Sequence, residues 1–378
     1  MKKITFNNRG QEFHIALKER VANYFKENNI SPNANASMVL KTIILFSSFI
    51  SCYVLLVFGK LDWYWNIGLS VLMGLTIAGI GFNIMHDAAH GSYSKNKTLN
   101  NILSYSLDLI GGSSWFWKTK HNVVHHTYTN ISEIDDDVNS GKILRFTHQQ
   151  SLMKIHRFQH IYGWFLYSLL AISWIFIADF RKAITGKVMN YPIPRPKTRT
   201  LIALWVFKIF YFGYAIALPI YITKSVWGVL GCYLIINLVL GFILAVIFQM
   251  AHMYDGAAFP EPDPETHKIE NEWAKHQFET TANFAPKSKI LNWYTGGLNY
   301  QVEHHLFPHI CHVHYPKIAP ILKQTCKEYG VPYYEFPTFG SAIKSHIKHL
   351  KRMGNPEKYK DYPVDYSSNA SLVNTSAS

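Results

Sequence analysis

Residues 226–248 read VWGVLGCYLIINLVLGFILAVIF, twenty-three positions without a charged side chain. A helix needs ~20 apolar residues to cross a bilayer, so this run is long enough to span. A second run, TIILFSSFISCYVLLVFG at 42–59, has the same character. Together they make this a membrane protein, predicted all-α because a lipid-embedded chain must satisfy its backbone hydrogen bonds within each span.

Extending the pattern along the 378 residues gives four spans in two hairpins. The first covers about 38–59 and 63–85, joined by KLD; the second covers 201–222 and 226–250, joined by TKS. Residues 10–30 have helical apolar spacing among charges and predict an amphipathic helix on the membrane surface. The chain is therefore divided into an N-terminal segment (1–37), a membrane domain (38–320) and a C-terminal segment (321–378) ending in the polar, disorder-prone tail SSNASLVNTSAS. Basic residues open the chain with no apolar run behind them, so a cleaved signal peptide is not expected. Cys52, Cys232, Cys311 and Cys326 show no C-x-x-C spacing and read as buried thiols.

Two apolar stretches, 99–117 and 161–178, are assigned to the membrane interface. If 161–178 crossed, the histidines near 121 and those near 304 would face opposite sides. If it does not, Lys2, Lys3, Arg9, Lys18, Arg20, Lys95, Lys97, Lys118, Lys120, Arg181, Lys182, Arg195 and Arg199 share one face. The positive-inside rule makes that face cytoplasmic. The net charge of +13 is thus read as a membrane-side bias, and nothing points to nucleic acid.

Histidine is the unusual residue. HDAAH places His86 and His90 four residues apart where the second span ends, and HNVVHH repeats the spacing with His121 and His125 before adding His126. On an α-helix, positions i and i+4 lie one above the other and can grip one metal ion. His126, turned ~100° from its neighbour, would then point away from the face shared by His121 and His125. QVEHH has the same design, with Gln301 ahead of His304 and His305, and His252 closes the fourth span. Eight imidazoles exceed what one ion holds, so two ions are expected. Imidazole suits Zn, Cu, Fe and Ni, and spacing does not choose among them.

HDAAH, HNVVHH and GGLNYQVEHHLFP resemble the three histidine boxes of the membrane fatty-acid desaturases, over about residues 38–320. The glutamine opening the third box resembles the front-end class, which places a double bond between an existing one and the carboxyl end. The resemblance implies a histidine-rich cytoplasmic cap holding two non-haem irons, which use O2 and two electrons to take two hydrogens from a long-chain acyl group. Carried over by position, the ligands are His86, His90, His121, His125, His126, His252, His304 and His305, with Gln301 a further candidate. Many eukaryotic front-end enzymes carry a fused cytochrome b5 domain with an H-P-G-G motif, which is missing here. The expected electron source is a separate carrier, a ferredoxin or a cytochrome b5, and the expected setting is a bacterial inner membrane.

Other residues have competing readings. His309, His312 and His314 lie beyond Pro308, which breaks a helix, and read as outer partners or surface residues. Asp87 either orients a ligand histidine or caps a helix. The carboxylates of SEIDDDVN (132–139) default to a solvated loop. Trp293 and Asn299 either line an acyl tunnel or pack. A hydroxylase or ketolase on the same frame is the alternative chemistry. A transporter would need polar residues within the spans, and Lys208 is the charge counted there.

Overall fold

Each apolar run becomes a helix that continues until a specific residue stops it. The computed structural model describes residues 4–7, 11–138 and 141–360. Lys2, Lys3, Arg9, Asn139 and the polar tail at 367–378 lie outside the described residues. α1 is Glu12–Glu27. The first hairpin is α2 (Ala36–Phe58) and α3 (Trp63–His90), and α4 runs over 114–128. α5 (Lys154–Ser168) and α6 (Leu170–Thr185) meet at a bend of 56°. The second hairpin is α7 (Thr198–Thr223) and α8 (Val226–His252). A cap follows, built from α9 (Trp273–Thr280), α10 (Gln301–Leu306), α11 (Tyr315–Tyr329) and α12 (Phe339–Gly354). Among the described residues, two-residue strands pair Thr5–Phe6 with Lys268–Ile269, Lys187–Val188 with Tyr191–Pro192, and Asn283–Phe284 with Glu335–Phe336.

The spans run past the ends that hydropathy suggested. α3 continues beyond residue 85 to Gly91, where a left-handed φ of 77° ends it, and so carries His86 and His90 on its last turns. α8 likewise reaches His252. The hairpins are locked by close packing of α3 against α8: a Cβ on Gly74 would lie 2.8 Å from the carbonyl oxygen of Ile236. The 99–117 stretch breaks into short helices, Lys97–Ser104, Ser106–Leu109 and Ser114–Lys118. Ring contact between His125 and His305, with centroids 4.9 Å apart, puts both histidine sets at one end of the bundle. α5 and α6 therefore do not form a fifth crossing.

Two lysines sit within spans, Lys41 as well as Lys208. Each is buried and fully partnered, as an ammonium in lipid must be. Lys208 Nζ donates to the carbonyls of Gly111 (2.6 Å) and Ile175 (2.8 Å) and pairs with Asp179 (3.2 Å), pinning α6 to α7. Lys41 Nζ donates to Asn83 Oδ1 (2.8 Å) and His312 Nε2 (2.9 Å). These contacts fasten helices together and form no pathway.

The N-terminal helix departs from expectation. Its apolar stripe, Phe13, Leu17, Val21 and Phe25, is buried in one core with Ile318, Leu322 and Cys326 of α11. Arg20 pairs with Glu328 at the edge of that contact, 2.5 Å. The stripe covers the cap and is not left for the membrane surface; amphipathicity reveals an apolar face but not its partner. α11 also runs through position 320, where the membrane domain was expected to end.

Candidate metal centre

Four helix ends bring the histidines together, and two of them do so through π turns. His86 N–H donates to Gly81 O, five residues back, and His126 N–H donates to His121 O in the same way. In such a turn i and i+5 align, so the i, i+4 argument gives way at 121–126, whereas His86 and His90, in the α-helical turn beyond the first π turn, keep it. His121 and His126 end up facing each other, Nε2 to Nε2 at 3.2 Å. His121 groups with His86, His90 and His304, and His125 with His252 and His305, while His121 and His125 also come within 4.8 Å of each other and of Asp137. This corrects the expectation that His126 points away from His121. The extra residue in the turn is what redirects them.

All eight expected histidines converge. His86, His90, His121 and His304 form one group, and His125, His252 and His305 a second. His126 joins His304 and His305 between them, and within each group the candidate ligand atoms lie within 4.8 Å of one another. His86 Nε2 and His126 Nε2 are both 3.2 Å from His121 Nε2. The Nε2 atoms of His90, His252, His304 and His305 are buried without a hydrogen-bond partner. Leaving a buried polar atom unsatisfied costs about 1–3 kcal/mol, and several pointing into one space fit a bound cation. Burial holds His121, His126, His304 and His305 well below the usual imidazole pKa, so they are neutral with a lone pair to give. The donor set therefore fits a metal site of nitrogen ligands.

Partners behind the rings set their tautomers. His125 Nδ1–H donates to Asp135 Oδ2 at 2.9 Å, with Asp137 Oδ2 at 3.4 Å. Burial works against protonation of His125, but these carboxylates outweigh it and its pKa lies above the ordinary value. His252 Nδ1–H donates to the Thr280 carbonyl (3.2 Å) and His305 Nδ1–H to Gln277 Oε1 (2.9 Å). Each bond leaves Nε2 free toward the cluster. The short helix α10 is anchored from its other face. Glu303 accepts from Tyr333 Oη (2.6 Å) and Asn283 Nδ2 (2.7 Å), and its burial, moderated by those bonds, raises its pKa to about 7.

Several secondary expectations resolve differently. Asp87 turns away from the cluster: its Oδ2 accepts from His312 Nδ1 (2.8 Å) and the Cys311 thiol (3.0 Å). His312 is thus a buried link between Asp87 and Lys41, whereas His309 is exposed and His314 donates to the Asn33 carbonyl. Asp135, in the acidic run expected to be solvated, is buried completely. Gln301 is buried at the head of α10 with its Nε2 unpartnered. Trp293 is 42% exposed and lies under Lys41, and the buried Asn299 donates to the Ala285 carbonyl across the helix Lys289–Tyr294; neither lines the two cavities at the cluster. Gln277 and Thr280 carry no motif that would have singled them out.

Two cavities meet at the cluster. A wide one, about 450 Å³, touches His121 and is rimmed by Lys120, Asp136, Asp137, Arg181 and Lys182. A narrow apolar one, about 30 Å³, begins at His86 and runs between the spans; both share Trp117, Trp174, Leu244 and Phe248. A nitrogen-lined site thus stands between a charged opening and an apolar passage. The family model for fatty acid desaturases matches residues 62–337. This chain belongs to the fatty acid desaturase family. A sn-1 linoleoyl-lipid 6-desaturase of Arthrospira platensis is 40% identical over 94% of this chain and 96% of its own length. Its counterpart of the same name in Synechocystis sp. is 36% identical over 90% and 95%. An acyl-lipid (8-3)-desaturase of Physcomitrium patens is 38% identical over 92% and 72%. The desaturase is thus a multi-pass membrane oxidoreductase acting on fatty acyl groups, with a histidine cluster suited to a metal.

Proposed function

We propose that this desaturase places a cis double bond in a lipid-linked long-chain acyl group, on the carboxyl side of one already present. The observation that carries the reading is the set of unpartnered imidazole nitrogens at the junction of a charged cavity and an apolar one. The ligands are His86, His90, His121, His125, His126, His252, His304 and His305, holding two irons, with Gln301 beside them. The irons, when bound, supply the O2 chemistry that removes hydrogen from an unactivated methylene. The chain's own task is placement. Lys120, Arg181 and Lys182, paired with Asp136 and Asp137, form a charged rim that receives the polar end of the substrate, while Trp117 and Phe248, which line both cavities, exclude water beside the histidines. The passage below His86 fixes which carbons approach by proximity.

The relatives' names, a linoleoyl-lipid 6-desaturase and an (8-3)-desaturase, support both the lipid-linked substrate and the carboxyl-side position. The basic face supports a cytoplasmic site in a bacterial inner membrane, served by a separate acidic electron carrier, a ferredoxin or a cytochrome b5. Expression in a desaturase-deficient host fed stearate, oleate and linoleate separately tests the reading, with double bonds located by mass spectrometry. A new bond on the carboxyl side in oleate or linoleate is expected. Desaturation of stearate alone overturns the front-end assignment, and a hydroxylated chain without a new alkene overturns desaturation itself.

A further inference from the structure

The wall of the narrow passage contains a gap that a side chain would fill. Gly81 is buried on α3, yet a Cβ built there meets nothing within 4 Å. Gly74, two turns earlier, is different: its Cβ would lie 2.8 Å from Ile236 O and 2.9 Å from Val239. Gly74 is needed so that two helices can touch. Gly81 is not a packing glycine, because its missing side chain is part of the void.

The local turn gives that void a direction. His86 N–H donates to Gly81 O, so residue 81 stands one π turn below His86 on the same side of the helix. Ile77, a further turn down, lines both this passage and a groove of about 390 Å³ that also includes Met73 and Tyr211. His86, Gly81, Ile77 and Met73 therefore follow one another along one helix, lining first the passage and then the groove that shares Ile77 with it, away from the charged opening. An acyl chain with its polar end among Lys120, Arg181 and Lys182 would send its methyl end down this path.

We propose that Gly81 is a specificity-determining residue, setting how many carbons extend past the histidines toward the methyl end. The proposal rests on the acyl-desaturase reading. It separates two properties of the substrate. A side chain at 81 limits total chain length, while the position of the new bond, counted from the carboxyl end, is set on the other side of the cluster and stays put.

The test is the series Gly81→Ala, Gly81→Val and Gly81→Leu, expressed in a desaturase-deficient host fed C16 and C18 monounsaturated acids together. The ratio of C18 to C16 product is expected to fall stepwise, by about tenfold or more in G81L, since a pocket discriminates roughly tenfold or better per excluded methylene. The bond position counted from the carboxyl end is expected not to move. A ratio that stays flat across the series overturns the proposal, as does a bond shifted along the chain. A second arm uses purified metal-free protein and reads the rise in Tm on adding C14 or C18 fatty acid. Loss of the C18 shift in G81L, with the C14 shift kept, supports the proposal even if the wild type makes no alkene, which is a failure of the functional reading alone. Equal C18 shifts in wild type and G81L overturn it.

Discussion

The two halves of the histidine cluster are built differently. Around His125, His252 and His305, each ring is held by a firm acceptor: Asp135 at 2.9 Å, the Thr280 carbonyl at 3.2 Å and Gln277 at 2.9 Å. Around His86, His90, His121 and His304, support is sparse. Among the described residues, His304 Nδ1 has only the Tyr315 hydroxyl at 3.4 Å, and His86 Nδ1 has no partner. The sparse half is also the half that meets both cavities, through His86 and His121. Outer partners fix a ring's orientation and raise its basicity. One half of the centre is therefore anchored, and the half that faces the substrate keeps more freedom.

The largest effect should come from the residue the halves share. His304 belongs to the first group and also to the set with His126 and His305. His304→Ala should reduce iron to background at both positions and abolish desaturation, against an expected content close to two irons per chain in the wild type. Elemental analysis checks it; retention of one full iron would mean the halves fold as independent sites. Next is Asp135→Asn, which removes the charge behind His125. Outer-partner loss typically costs 10–100-fold in metal affinity. Chelator extraction should become biphasic, with one iron leaving early. Uniform release of both irons would erase the distinction between the halves. Gln277→Leu removes a neutral acceptor worth about 1 kcal/mol, so its early phase should be several-fold faster than wild type and slower than that of D135N.

How much of this was legible differs by kind of residue. The spans followed from uncharged length, and each histidine pair from its spacing, because both signals are local. The facing of His121 and His126 was not legible, since a π turn at 119–125 shifts the aligned position from i+4 to i+5 and nothing in HNVVHH announces it. Asp135 looked solvated because an acidic run usually is; its burial comes from the chain folding back, with Asn130 N–H on its carboxylate at 3.0 Å. Asp87 sat beside the candidate ligand His86, but His312, beyond the Pro308 break, returns to take it. α1 showed its apolar face without showing that α11 would cover it. The Asp87 and α1 cases depend on contacts made far along the chain, whereas the π turn and the burial of Asp135 are local departures from the usual geometry.

The smallest effect tests whether the sparse half is sparse. Tyr315 is the only side chain given to His304 Nδ1 by these contacts, and at 3.4 Å it is at the weak limit of a hydrogen bond. If that half owes its geometry to backbone position and to the metal, Tyr315→Phe should change iron retention less than about twofold, within the range of a marginal neutral bond. The ring stays in its buried place on α11, so packing is preserved and only the hydroxyl is lost. Chelator release rates measured beside D135N make the comparison internal. A loss in Y315F as large as in D135N would show that His304 depends on its hydroxyl as His125 depends on its carboxylate, and the two halves would then be anchored alike.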